Sequence, residues 1–204
     1  MKKRFLVAAI TAAMVSPVAA YASADVYGKV HASYDFNSGD DSTDNTTITS
    51  RASRLGVKGS EDLGGGLKAI YKMEFGVDIA DENKEKNFSS RNQYVGLSGG
   101  MGTALLGRHD TPLKMVQGKF DQFNDTIADM AGMVDGEDRA NNVLALISPK
   151  MGGMQGMIAL VPGEGNGNTT PATAASDMNG VADGISAAFT YKAKDLFVSL
   201  ANNS

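Results

Sequence analysis

Apolar side chains recur at every second position in runs long enough to cross a lipid layer, and few folds tolerate that pattern. From Val26 to Phe36 the even positions are Val26, Gly28, Val30, Ala32, Tyr34 and Phe36, while the odd ones include Lys29, His31, Ser33 and Asp35. From Leu67 to Val77 one side carries Leu67, Ala69, Tyr71, Met73, Phe75 and Val77, and the other carries Lys68, Lys72 and Glu74. An extended chain sends successive side chains to opposite faces, so each run predicts a strand with one apolar and one polar face. Each is eleven residues long, matching the ~9–11 that a tilted strand needs to cross the hydrocarbon layer. Further strands are predicted at Ser50–Ser60, Arg91–Ser98, Gly102–Asp110, Arg139–Ser148, Met154–Pro162 and Gly184–Lys192, with another starting at Asp195. Two of these have conflicting phase: Arg91 and Gln93 share parity with Val95 and Leu97, and Leu106 shares parity with Arg108.

The connectors alternate as well. Polar Asn37–Thr49 and charged Asp78–Ser89 are long, whereas Glu61–Gly66 and Gly99–Gly100 are short. Long and short in turn is the mark of an up-and-down antiparallel sheet whose two ends meet different environments, as in a transmembrane β-barrel. Tyr27, Tyr34, Phe36, Tyr71, Phe75, Tyr94 and Tyr191 sit mostly near strand ends, where an interfacial girdle requires aromatic rings. The competing reading is a soluble secreted sandwich or surface adhesin, which buries one strand face under a second sheet. No second set of strongly apolar strands is visible to do so.

Lys2, Lys3 and Arg4, the apolar run Phe5–Val15 and Ala22-Ser23-Ala24 form a three-part export signal over residues 1–24, with the mature chain starting at Asp25. The apolar run is too short for a membrane anchor, which needs ~20 residues. Loss of the three basic residues moves the net charge from -4 to -7, which disfavours nucleic acid as a partner. Without cysteine, disulfides and thiolate metal sites are excluded. His31 and His109 stand on separate strands with no zinc-type spacing, no Gly-x-Ser-x-Gly elbow exists, and Gly64-Gly65-Gly66 lacks the Gly-Lys-Ser/Thr of a phosphate loop. The carboxylates of Thr111–Asp138 have only Phe120 and Phe123 as nearby sugar platforms, which argues against a glycosidase. The Asp-rich Gly39–Asp44 stretch reads as a solvated loop in preference to a calcium site.

The segment Ser53-Arg54-Leu55-Gly56-Val57-Lys58-Gly59-Ser60-Glu61-Asp62-Leu63-Gly64-Gly65-Gly66-Leu67-Lys68-Ala69 resembles the second strand, tight turn and third strand of the general porins of Gram-negative outer membranes, in their trimeric neisserial-type branch. Asp25-Val26-Tyr27-Gly28-Lys29, Tyr94–Gly99, Gly102–Arg108, Asp138–Val143 and Ser148-Pro149 follow the same family in order, so that the likeness covers residues 25–204. The resemblance implies a sixteen-stranded antiparallel barrel, of which about eight or nine strands are present here. It also implies a homotrimer in outer-membrane lipid, passive diffusion of small hydrophilic solutes and ions, no catalysis and no cofactor.

In that family the third outer loop folds into the lumen and narrows it, and the corresponding segment is 111–138. It holds Asp121, Asp125, Asp129, Asp135, Glu137 and Asp138, with Lys114 and Lys119 near its start. The spacing of Asp121, Asp125 and Asp129 places three carboxylates along one face of a short helix. By matching motif positions the basic wall opposite the loop is assigned to Arg54, Arg91, Arg108 and Arg139; the acidic side of the constriction is placed on Asp121, Asp125, Asp129 and Glu137 of the loop segment. Opposed guanidinium and carboxylate rows create a transverse field that favours dipolar solutes over apolar ones. Acidic loop and basic wall pull ion preference in opposite directions, which leaves its sign open.

At ~20 residues per strand with connector, sixteen strands need ~320 residues, and the family's aromatic carboxy terminus is missing at Asn202-Asn203-Ser204. The chain therefore reads as the amino-terminal part of a longer porin. The alternatives are a non-conducting fragment, an eight-stranded barrel filled by its own side chains, or a secreted surface-adhesive β protein.

Overall fold

A computed structural model describes residues 23–39, 42–80, 87–163, 180 and 182–204. The body of the expected export signal lies outside them. The described strands are β1 (Ser23–Lys29), β2 (Ala32–Gly39), β3 (Ser42–Ser50), β4 (Arg54–Gly64), β5 (Leu67–Val77), β6 (Phe88–Gly99), β7 (Gly102–Asp110), β8 (Arg139–Ile147), β9 (Met154–Val161), β10 (Gly184–Ala193) and β11 (Leu196–Asn203). Nine of them form one antiparallel sheet in the order β1-β4-β5-β6-β7-β8-β9-β10-β11, and β2 pairs with β3 as a separate hairpin.

The predicted alternation is visible as burial. Val26, Val30, Tyr34 and Phe36 are exposed, as are Leu55, Met73, Phe75, Val95, Leu106, Leu146, Phe189, Val198 and Leu200. These residues make up one broad apolar face. On the opposite face of β6 to β9 a small core forms from Leu105, Ala140, Val143, Ala145 and Ala159, with Ile70, Tyr94, Ile147 and Val161 packed around it. The aromatic girdle needs correcting on that basis. Tyr34, Phe36 and Phe75 belong to the apolar face, but Tyr27 and Tyr94 turn to the polar one, where Tyr27 donates to Glu74 at 2.7 Å and Tyr94 meets the His109 ring at 5.1 Å between centroids.

Two predicted strands are each broken in two, and the expected polar connector Asn37–Thr49 is mostly strand. Val26–Phe36 is interrupted at Val30 and His31, and Ser50–Ser60 at Arg51, Ala52 and Ser53. The breaks face each other and are bonded together. The Ser53 hydroxyl accepts from His31 N–H and donates to His31 C=O, both at 2.9 Å, and Arg51 N–H donates to the same carbonyl at 2.8 Å. Ala52 takes up the bend at φ 49°. Beyond it, β-branched Thr46, Thr47, Ile48 and Thr49 favour extension despite their polarity, and Arg51 pairs with Asp35 at 2.7 Å to hold the hairpin down.

The phase conflict in β6 is resolved by a bulge, whereas in β7 Arg108 stays in phase with Leu106. Pairing with β5 jumps between Met73↔Gln93 and Phe75↔Ser90. An inserted residue reverses which face the following side chains take, so Tyr94 and Arg91 both reach the polar face while Asn92 is buried at the bulge. A second jump separates Gly107↔Val143 from His109↔Ala140, three steps on β8 against two on β7, so the extra residue there lies on β8. Gly107 sits there at φ +136°, and a Cβ on it would collide with the carbonyl oxygen of Gln93. In the full-length protein Gly107→Ala should lower stability by roughly 1–3 kcal/mol, read as a drop in the urea midpoint of the bilayer-inserted form. An unchanged midpoint would remove the bulge from the set of features that specify this sheet.

Candidate functional site: a loop across the polar face

Residues 111–138 leave β7, cross the polar face and return to β8. Their neck is closed by Thr111 N–H donating to Asp138 C=O at 3.0 Å. Thr111 then caps helix α1 (Pro112–Gln117), accepting from Lys114 N–H, with Pro112 in the first turn where its missing N–H costs nothing. Val116 of α1 is buried against Met157 and Ala188, with Ala201 beside them, and Phe120 meets the Phe197 ring of β11. The loop is thus seated by apolar contact on β9, β10 and β11.

Its far end touches the opposite margin of the sheet. Asp125 accepts from Lys29 of β1 at 2.7 Å and lies 3.5 Å from the guanidinium of Arg54 on β4, two residues that face each other in register. A flat sheet would hold β10 and β1 about 33 Å apart. The stretch from Val116 to Asp125 covers at most about 32 Å even if straight, and its turns shorten it well below that. The sheet must therefore curl around the loop with its polar face concave.

Between loop and wall lies a cavity of about 370 Å³, lined by Arg54, Arg91, Lys114 and Arg139 and by Asp110, Asp125, Asp129 and Glu137 among others. The charges are organised in pairs. Arg139 reaches Asp110 at 2.9 Å and also donates to Asn92, which in turn donates to Asp110. Lys114 meets Glu137 at 3.3 Å. Arg91 pairs at 2.8 Å with Glu74, a buried carboxylate that also takes Lys72 at 3.0 Å and the Tyr27 hydroxyl. Lys58, opposite Lys72 in register, stacks over the Tyr27 ring with its ammonium 5.6 Å from the centroid.

Of the residues assigned from sequence, Arg54, Arg91, Arg139, Asp125, Asp129 and Glu137 all line this cavity. Arg108 does not. Gln93↔Arg108 stands two positions beyond Val95↔Leu106 in an unbroken register, which puts Arg108 on the apolar side, where its guanidinium donates to Asn141. β7 carries no inserted residue between them, so the parity shared with Leu106 decides its face. Asp121 is not among the lining residues, and no helix carries Asp121, Asp125 and Asp129. Aspartate side chains compete with a helix for backbone donors. Here Asp121 accepts from Phe123 and Met130 N–H, and Asp129 from Asp125 and Ala131 N–H, leaving Asp125 at φ 64°. Lys29, Glu74, Asn92, Asp110 and Lys114 are site residues that the motif positions did not supply. Lys29 and Glu74 were nonetheless readable as polar-face residues of alternating strands.

An antiparallel sheet, apolar on its outer face, charged on its concave one and filled by an inward loop, is the wall of a transmembrane β-barrel. Among the described residues no helix is long and apolar enough to cross a membrane. Residues 7–204 match the family model described as Gram-negative porin, and the chain belongs to that family. It is 31% identical over 179 residues to the major outer membrane protein P.IB of Neisseria gonorrhoeae, covering 81% of this chain and 50% of that one. With outer membrane porin protein 32 of Delftia acidovorans it shares 32% over 168 residues, 75% of this chain and 47% of that one. The chain spans about half the length of the curated relatives it matches. Among solved structures, an anion-selective porin from Comamonas acidovorans superposes with a TM-score of 0.76 at 26% identity, over 89% of this chain and 57% of the other. Salmonella typhi OmpF, solved with daunomycin, shares the fold with a TM-score of 0.67 at 18% identity, over 88% and 53%. The protein is an outer-membrane member of a channel family and not an enzyme.

Removing the Glu74 carboxylate leaves Arg91 and Lys72 without their acid. Glu74→Ala in the full-length protein should cost about 3 kcal/mol in bilayer unfolding, and a loss below a few tenths would make the cluster a solvated one. Asp125→Asn takes away the far anchor of the loop, so tryptic cleavage after the exposed Lys119 should become several-fold faster while cleavage elsewhere is unchanged.

Proposed function

We propose that the full-length protein forms a water-filled channel in outer-membrane lipid for passive diffusion of small hydrophilic solutes and ions, with residues 111–138 as its constriction loop. The observation that carries this is the cavity in which four basic and four acidic side chains face one another. Water there is oriented by fixed charge, so an apolar molecule has to displace ordered solvent while a dipolar one aligns with the field. Arg54 and Arg91 supply the wall side, and Asp125, Asp129 and Glu137 the loop side. Assembly as a homotrimer is part of the proposal and rests on the family likeness; cleavage of the signal after Ala24 is also part of it and rests on the basic, apolar and small-residue pattern of residues 1–24.

The test is planar-bilayer recording of the full-length protein. Stepwise conductance with the reversal potential of a salt gradient is expected. Arg54→Glu with Arg91→Glu should move that potential toward cation preference, whereas Arg108→Glu, on the other face, should leave it in place. A complete protein that folds yet passes no current overturns the channel reading, and a selectivity untouched by the double reversal overturns the assignment of the constriction.

A further inference from the structure

Met115 of α1 lines the constriction cavity and also a second cavity, of about 540 Å³. The charges of the second are all of one sign. Lys119, Lys150 and Lys192 line it, and its lining holds no Asp or Glu, whereas the constriction sets four acids against its four bases. None of these three lysines makes a salt bridge among the described residues. They come from separate elements: Lys119 follows α1, Lys150 stands in the β8–β9 turn, and Lys192 is near the end of β10, just before its turn into β11. Those two turns are short, as at the periplasmic end of a barrel. The cavity therefore lies between the loop and that mouth. Ammonium groups brought together without acids repel one another, and an anion relieves that repulsion.

The rest of the wall narrows the class of anion. Met115, Met157 and Phe197 supply apolar surface, and the half-exposed Phe120 ring lies 5.4 Å from that of Phe197 between centroids. Thioethers and ring edges are the surfaces that an aromatic body packs against. The neutral polar groups are partly spent, since the Thr190 hydroxyl donates to Gln155 C=O and the Gln155 amide donates to Ser148 C=O. Lysine offers donors and no acceptor, so the ligand has to accept. A small hydrated anion such as chloride would leave the apolar wall in water, and a neutral arene would leave the ammonium groups unmatched. A molecule with a ring at one end and a carboxylate at the other answers both, and the volume lies within the ~300–1,000 Å³ of small-molecule sites.

We propose that this cavity binds an organic anion of the aryl carboxylate class, its carboxylate on Lys119, Lys150 and Lys192 and its ring against Phe197, Met115 and Met157. The inference takes the inward loop from the channel reading but not conduction, because binding is read in detergent micelles, where no current flows. Full-length protein folded in detergent is titrated with sodium naphthoate by calorimetry, against empty micelles as the blank. One saturable site per chain is expected. The double variant Lys150→Gln, Lys192→Gln, first shown to keep the heat-modifiable gel mobility of the folded barrel, should weaken it at least about five-fold. Neither sodium acetate nor neutral naphthamide at the same concentration should displace the naphthoate. Absence of saturable heat overturns the proposal, as does an affinity that the double variant leaves unchanged. Displacement by acetate would reduce the site to charge alone and overturn the ligand class, and displacement by naphthamide would do so from the apolar side. A protein that conducts without binding loses only this proposal, and one that binds without conducting loses only the channel.

Discussion

In hydrocarbon a backbone N–H or C=O without a partner costs several kcal/mol, and no water is present to supply one. Everything in this molecule answers to that constraint. It forces a continuous antiparallel ladder from β1 to β11, and a ladder has two faces. Outward positions then have to be apolar because they meet lipid, and inward ones are released to be charged. The alternation that organises the chain is thus a consequence of backbone bonding before it is a matter of side-chain preference.

The inward face presents the opposite problem, since charge crowded into a narrow space has to be balanced. Paired groups do this at close range: Arg91 with Glu74, Arg139 with Asp110, and Arg54 with Asp125. The loop contributes one side of this balance, so it is both a plug and a counter-charge. Apolar seating of Val116 on β9 and β10 sets its depth, and Asp125 sets its reach. Neither contact alone would span the concave face.

Most strands were legible because a period of two survives in composition alone. What was lost had specific causes. The β2–β3 hairpin carries Thr and Asn where a reader looks for apolar residues, so extension was read as loop. The helix predicted over Asp121–Asp129 obeyed spacing, but each aspartate found nearer backbone donors. Arg108 was assigned by motif to the wall, whereas the register it shares with Val95 and Leu106 puts it outside. Glu74 and Lys29 lay on correctly phased faces. Which partners they would meet depended on contacts between residues tens of positions apart.

The irregularity in β6 has one more implication. Because a single extra residue near Asn92 swings Arg91 from the lipid side to the inside, the charge of this passage can be rewritten by insertion or deletion without substituting any side chain. Deleting one position there would turn a cation outward and bring Ser90, which now stands opposite Phe75, inward. Change in such proteins can therefore proceed by shifts of strand phase as well as by exchange of amino acids.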